Sequence, residues 1–211
     1  MDNVVINFVD HIKYLGVVLD NRLSFRQHFD EIKKKARMKL CVFRRLKYQL
    51  NKDAKLQIFN SLIKPSITYC STIFYMANVV TVGSVQIMLN HCMRVILKCD
   101  TDTSIKEMLT KLGFITFRHQ IKLDAMTFIF KMDKNLLPGY LSHQRFGDIH
   151  HHGTRSSNSF ILKQHHKIKT KKCLFDMGLS EYNKLDSKIR ESTSVPEFRK
   201  QLLCHLTNAE T

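Results

Sequence analysis

The chain has 211 residues, 44% of them hydrophobic, which is enough for one domain or two small ones with a real core. Its 34 Lys and Arg against 18 Asp and Glu give a net charge of +16, which favours nucleic acid, an anionic membrane surface or an acidic protein as partner. No apolar run approaches the roughly 20 residues of a bilayer span, and the first residues lack the pattern of a secretory signal, so we expect no membrane and an intracellular location, nuclear or cytoplasmic.

Strand-forming residues concentrate at the start of the chain, over 4–19. β-branched and aromatic residues are frequent there, and we expect two strands that bend near Asp10 and His11. An isolated hairpin is marginal in water, so these strands need a sheet or a helix to pack on. Residues 1–22 form the first predicted segment.

The clearest predicted element is a helix from residue 24 to about residue 50. Ser24 and Gln27 have the spacing of a capping box at its start. Its apolar residues repeat at helical spacing and fall within an arc of about 80°. They are Phe25, Phe29, Ile32, Ala36, Leu40, Phe43 and Leu50.

Further helices are predicted up to residue 141, which gives a mainly α fold with a short N-terminal β-hairpin. The first helix spans 52–64, with Asn51 as its cap and Pro65 as its end or a kink, and a buried stretch follows at 66–77. Another helix begins at Ser84, and a short one runs from a capping box of Ser104 and Glu107 to Leu112 and Gly113. The last helix of this segment spans Phe117 to Met132. Residues 23–141 form the second predicted segment.

The composition changes at about residue 142. Seven Lys or Arg, six His and a single acid, Asp148, lie between His143 and Lys172. We expect a basic, His-rich loop or linker over 142–178. A third capping box, Ser194 with Glu197, begins a C-terminal helix in the last segment, 179–211.

Positive charge is dense along the helix that begins at residue 24. Ten Lys or Arg but only two acids, Asp30 and Glu31, lie between Arg22 and Lys47. Four of the cations fall within about 40° of one another on the helix, beside the apolar arc. This basic stripe is Arg26, Lys33, Arg37 and Arg44, and Lys34 and Arg45 widen it.

Two interpretations of the basic stripe stay open. It spans about 27 Å, long enough to meet several phosphates of a duplex. The alternative is the solvated face of an ordinary amphipathic helix, but such faces mix signs, and like charges three or four residues apart repel. The stripe therefore predicts anion binding.

The chain shows little sign of catalysis. Asp100 and Asp102 form the one close acidic pair in an apolar context, and their position between helices favours a turn over a Mg²⁺ site. The seven glycines are scattered and form no phosphate-binding loop. We expect no catalytic residues, no metal and no cofactor.

The histidines and cysteines leave alternatives open. His150, His151 and His152 with His165 and His166 permit a zinc site, a loop that contacts phosphate or an acidic partner, or an inert loop. The six cysteines include no C-x-x-C pair, and most lie in apolar stretches, so we expect reduced, buried thiols rather than disulfides.

Several short motifs follow one another along the chain. They are Tyr14–Asp20 (YLGVVLD) with Leu23, Ser24, Phe25 and His28; Leu62–Pro65 with Tyr69 and Cys70; Arg94 with Val95 and Ile96; Leu112–Phe114; Pro138–Leu141; His152–Arg155; and Tyr182–Leu185 with Ile189, Arg190, Phe198, Arg199 and Leu202. By their order and spacing, over residues 10–206, the chain resembles the C-terminal end of reverse transcriptases of jockey-type non-LTR retrotransposons. Tyr182 and Asp186 stand where this family usually has Trp and Pro, as in a decayed or repurposed copy.

The resemblance implies a fold and a function. Residues 1–22 would be a remnant hairpin of the palm, and 23–141 a helical thumb-like domain. The family's catalytic aspartates belong to a palm that would lie upstream of Met1, so we expect a truncated RNA-directed DNA polymerase that is inactive alone. Its thumb lies against the template–primer duplex, which agrees with the basic stripe.

The resemblance also implies partners. We expect backbone contacts to an RNA–DNA hybrid or duplex, and upstream polymerase or endonuclease domains if the reading frame continues. Two alternatives are a helical protein-interaction module, which would hold a partner by its apolar surface, and a retrotransposon remnant without function.

Overall fold

The computed structural model describes residues 8–149, 158–162 and 174–208, and it confirms a mainly α fold with an N-terminal hairpin. The strands are β1 (His11–Tyr14) and β2 (Val17–Asp20), and the helices are α1 (Arg26–Arg45), α2 (Lys52–Ile58), α3 (Lys64–Thr68), α4 (Val79–Leu97), α5 (Ile105–Leu112), α6 (Phe117–Asp133), α7 (Phe146–Ile149), α8 (Leu174–Asn183), α9 (Ser187–Arg190) and α10 (Val195–Asn208).

Contacts divide these residues into two compact units. The first unit holds the described residues up to Cys70 together with Ala77–Phe114. The second unit holds Ser71–Met76 together with the described residues from Ile115 onward. Helix α6 thus groups with the C-terminal helices, whereas the sequence placed it with 23–141. The four-segment division stays a prediction about the chain's organisation.

The hairpin turns later than the sequence predicts. β1 and β2 pair antiparallel, with Tyr14 opposite Val17 and His11 opposite Asp20. The turn is therefore Leu15-Gly16, and both residues have positive φ, 45° and 84°. A two-residue hairpin loop of this hand matches the twist of the strands, and glycine adopts it without strain. The predicted bend at Asp10 and His11 is wrong.

The start of α1 is not the predicted capping box. The carboxylate of Asp20 accepts hydrogen bonds from the backbone N–H groups of Arg22, Ser24 and Phe25, and from the Ser24 hydroxyl. Burial opposes the charge, but these hydrogen bonds lower the pKa of Asp20 below its usual value. Phe25 takes the N-cap position in the left-handed region, without a side-chain cap. Asp20 therefore fixes the strand-to-helix turn.

Helix α1 buries the apolar arc that the sequence predicts. Six of its seven predicted residues are buried, namely Phe25, Phe29, Ile32, Ala36, Leu40 and Phe43. The seventh, Leu50, is half-buried and lies beyond the helix, which ends at Arg45. The arc packs on β2, α3 and α4 in the first unit, so the opposite side of α1 faces solvent.

The segment after α1 is helical but interrupted. Asn51 caps α2 through a 2.8 Å hydrogen bond from the Ala54 N–H, as predicted. Between α2 and α3 the chain forms one π-helical turn, Phe59–Ile63, and Pro65 lies in the first turn of α3. A proline is tolerated there because the first N–H groups of a helix have no intrahelical partner.

Helix α4 begins at Val79, capped by Asn78, rather than at the predicted Ser84. Among the described residues it is the one helix long and apolar enough to cross a membrane by length and composition. Its buried side chains include Val85, Cys92 and Ile96, and the helix packs on α1, α2 and α5. The buried side of α4 thus forms part of the core of the first unit.

The second unit forms around α6, as its apolar sequence predicts. The rings of Phe130 in α6 and Phe198 in α10 stack with centroids 4.2 Å apart. The third capping box forms in part, because the Ser194 hydroxyl accepts from the Glu197 N–H while Glu197 reaches back to Thr193. Helix α8 begins at Leu174, inside the predicted linker 142–178.

Candidate nucleic-acid interface

The six predicted site residues all lie on α1. Five of them are exposed, namely Arg26, Lys34, Arg37, Arg44 and Arg45. Lys33 is half-buried. Because α1 is unbroken from Arg26 to Arg45, the spacing of the stripe translates into a row about 27 Å long. The structure thus brings these cations to one side of the helix, next to the buried arc.

One member of the stripe is paired with an acid. Lys33 Nζ lies 2.7 Å from Asp30 Oδ1, one turn earlier in the helix. Its charge is partly satisfied, so Lys33 contributes less to an external anion than its neighbours do. The other five cations make no ion pair within the part of the chain that the structure describes.

Positive charge continues from the end of α1 onto α4. His91 is half-buried, and burial lowers the pKa of its imidazole, with the nearby charges of Arg44 and Arg94 lowering it further. Arg94 is held in place by a 3.1 Å hydrogen bond from Nη2 to the Thr101 carbonyl. Because Arg44 and Arg94 both act on His91, one cation of α4 lies near the C-terminal end of the stripe.

A further cluster of lysines lies where α1 ends. Lys47 Nζ and Lys98 Nζ lie 5.5 and 5.9 Å from the centroid of the Tyr48 ring. Lys55, in α2, is almost wholly buried. Burial, with the charges of Lys98 and Lys47, lowers the pKa of Lys55. This cluster is not predictable from the sequence, because nothing in the local pattern of α2 marks Lys55 as buried.

Two of the motif blocks meet around the hairpin that precedes α1. The Val18 N–H donates to Nδ1 of the buried His28, 3.3 Å away. The Tyr69 hydroxyl donates to the Leu15 carbonyl across 2.8 Å, and its ring lies against Gly16. These contacts hold the hairpin against α1 and against the residue that follows α3, so the motif residues help to position the start of the stripe.

The other candidates of the sequence analysis fall into two groups. Asp100 and Asp102 lie in the predicted turn, and no three His, Cys, Asp or Glu side chains of the described residues are placed to hold a metal ion. His150, His151, His152, His165 and His166 lie outside the described residues, as does one of the six cysteines, Cys173.

The cysteines are less buried than predicted. Cys92 is fully buried, and burial raises the pKa of its thiol to about 12. Cys41 and Cys204 are exposed instead, because each lies on the outer side of its helix. Cys70 and Cys99 are intermediate. All five are free thiols, as predicted.

The second unit contains a polar cleft of about 480 Å³, lined by Asp133, His143, Arg145, Asp148 and neighbours. Its charged side chains form ion pairs and hydrogen bonds with neighbouring residues. Asp133 pairs with Arg145 and accepts from the Tyr182 hydroxyl, and Asp148 accepts from the Arg145 N–H. The charged side chains of the cleft are thus paired with one another or with neighbouring residues.

Comparisons with protein-family models, with curated proteins and with solved structures found no significant match. The family resemblance therefore rests on the sequence motifs, and the candidate interface on the geometry of the first unit.

Proposed function

We propose that this chain derives from a reverse transcriptase of a non-LTR retrotransposon and binds duplex or hybrid nucleic acid through its phosphates. In this proposal the first unit acts as the thumb, the catalytic palm belongs to sequence outside the chain, and the chain does not polymerise alone. The observation that carries the proposal is a row of exposed cations on α1, of which five have no ion-pair partner among the described residues.

The chemistry of this row favours phosphates over bases. Arg37, Arg44 and Arg45 present guanidinium forks, which match phosphate oxygens in pairs. The row runs along one side of a helix whose other side is buried, so it can lie along a backbone but not enter a groove deeply. Binding of this kind is independent of sequence and depends strongly on salt.

A charge-reversal experiment tests the proposal. Arg26, Arg37 and Arg44 are changed together to Glu, and binding to an RNA–DNA hybrid is measured by fluorescence anisotropy. We expect at least a roughly hundredfold loss of affinity, because three attractive contacts become repulsive. The free energy of unfolding should change little, because all three side chains are exposed.

The matched control reverses the charge of three exposed lysines of the first unit that are not in the stripe. They are Lys35, which lies on another side of α1, Lys52 in α2 and Lys106 in α5. Net charge changes by the same amount, so a loss specific to the stripe variant locates the interface. If both variants lose affinity equally, only overall charge matters. If the stripe variant binds as the unaltered protein does, the proposed interface is wrong.

A second candidate function is suggested by the exposed hairpin. All four residues of β1 are exposed, and Ile12, Tyr14 and Leu15 expose 57%, 63% and 75% of their surface. Among the described residues, β1 pairs only with β2, and exposed apolar side chains on such a strand edge are typical of a protein-interaction surface. The same anisotropy measurement separates the two functions, because a module without a nucleic-acid role does not bind the hybrid.

A further inference from the structure

Lys55 is the most unusual basic residue among those the structure describes. It is 1% exposed, and its Nζ makes no hydrogen bond to any described residue. A charged ammonium in such a place is strongly unfavourable unless an anion or a set of acceptors satisfies it. Lysine is flexible enough to turn its end group towards water, so a buried Nζ without a partner among the described residues favours pairing with a group that the structure does not describe.

Two more ammonium groups lie close to Lys55. Lys47 and Lys98 share the ring of Tyr48, whose side chain is 80% exposed. Their charges act on Lys55 and, together with burial, lower the pKa of its ammonium group. The three positive charges repel one another, and no carboxylate among the described residues forms an ion pair with them.

Three neighbouring ammonium groups without a carboxylate partner among the described residues are suited to bind one anionic group. We propose that Lys47, Lys55 and Lys98 form a phosphate-binding site at the C-terminal end of α1, and that its phosphate comes from a nucleic-acid backbone. Lysine ammonium groups bind phosphate as point charges and do not demand the planar geometry of a carboxylate. A bound phosphate removes the mutual repulsion and supplies the acceptor that Lys55 Nζ lacks.

The position of the site agrees with that source of phosphate. Lys47 follows Arg44 and Arg45 by two or three residues, so the site extends the row of cations on α1. A strand that runs along the row would place a phosphate near Lys47 and Lys98. The choice of a nucleic-acid phosphate rests on the proposed function, whereas phosphate binding itself rests on the buried Lys55.

The experiment uses thermal unfolding with inorganic phosphate, at constant ionic strength set with sodium chloride. Lys55→Met keeps the shape of the stem and removes the charge. Lys52→Met is the matched control, an exposed lysine one turn earlier in α2. We expect phosphate to raise the Tm of the unaltered protein and of Lys52→Met, and to bind Lys55→Met at least roughly tenfold more weakly.

A second variant keeps the test independent of folding effects. Lys98→Gln alters an exposed side chain, so it leaves burial unchanged and is expected to weaken phosphate binding severalfold. Without phosphate, Lys55→Met should be at least as stable as the unaltered protein, because it removes a buried charge. Equal stabilisation of Lys55→Met and Lys52→Met by phosphate would overturn the site.

A parallel titration with the RNA–DNA hybrid identifies the source of the phosphate. If Lys55→Met weakens hybrid binding as well, the site holds a backbone phosphate, as proposed. If only inorganic phosphate binding depends on Lys55, the site stands and its ligand is free phosphate. The proposed function fails separately, through reversal of Arg26, Arg37 and Arg44, whatever Lys55 does.

Discussion

The two units use their basic residues differently. In the second unit, ion pairs join different elements. Arg199 Nη1 lies 3.1 Å from Asp124 Oδ1, and Lys122 Nζ lies 2.9 Å from Glu181 Oε2. Arg145 pairs with Asp133. In the described part of the first unit, ion pairs stay within a single helix, as for Lys33 with Asp30 and Lys111 with Glu107.

This difference separates cations that hold the fold from cations that are available to a ligand. A basic residue that joins two elements contributes to stability, and its removal leaves a partly buried carboxylate unpaired. An exposed basic residue without a partner adds little to stability and mainly attracts anions. Net charge of +16 alone does not distinguish the two cases, but the pattern of pairing does.

The largest expected effect tests the second unit. Asp124 accepts hydrogen bonds from Ser71, Gln120 and Arg199. Asp124→Ala leaves these donors without their acceptor, so we expect a loss of about 2–3 kcal/mol in the free energy of unfolding, measured with urea. Arg26→Ala in the first unit is the control and should change it by less than about 0.5 kcal/mol. Similar losses in both variants would contradict the contrast between the units.

A pH titration probes the hairpin–helix junction of the first unit. Burial lowers the pKa of His28, while Glu31 raises it and Lys35 and Lys13 lower it. The unfolded state therefore binds more protons than the folded state, so stability falls as pH drops through about 6.5.

The measurement is urea unfolding between pH 8 and pH 5, with His28→Asn as the comparison variant. Asparagine places a polar group near the Val18 N–H but does not titrate in this range. We expect the variant to lose part of the pH dependence, with the remainder coming from His91, whose pKa is also lowered. An identical pH dependence in both proteins would show that His28 does not report on this junction.

A smaller effect is expected from releasing Lys33. Asp30→Asn removes the acid that pairs with Lys33 and leaves the rest of α1 unchanged. We expect hybrid affinity to rise by about two- to fivefold, since one more cation can reach a phosphate. Asp53→Asn, which neutralises an exposed acid in α2, is the control. An equal gain in the two variants would mean that Asp30 acts only through net charge.

The sequence predicted some features well because they depend on local periodicity. The apolar arc of α1 follows from a repeat that helical geometry imposes, and the position of the basic stripe follows from the same geometry. Gly113 ends α5 in the left-handed region, as its position after Leu112 predicts. The Asn51 cap was also predictable from local sequence, because its side chain accepts from the Ala54 N–H only three residues later.

Other features depend on contacts that no local pattern contains. Ser24 and Gln27 have the spacing of a capping box. The N–H groups of Ser24 and Phe25 nevertheless donate to the carboxylate of Asp20, the last residue of β2. The hairpin turn was misplaced because a short run of β-branched residues does not fix its register. The burial of Lys55 depends on how α2 packs on α4, and the pairing of Lys33 depends on one rotamer.

The central claim is that α1 binds nucleic acid through unpaired cations, and the salt dependence of hybrid binding tests it most directly. Five cations of α1 have no ion pair among the described residues, and they predict that log affinity falls with log salt with a slope of about −4. Changing Arg26, Arg37 and Arg44 to Gln should reduce the magnitude of the slope by about 2 to 3. A slope that is nearly flat in the unaltered protein, or unchanged in the variant, would contradict the account.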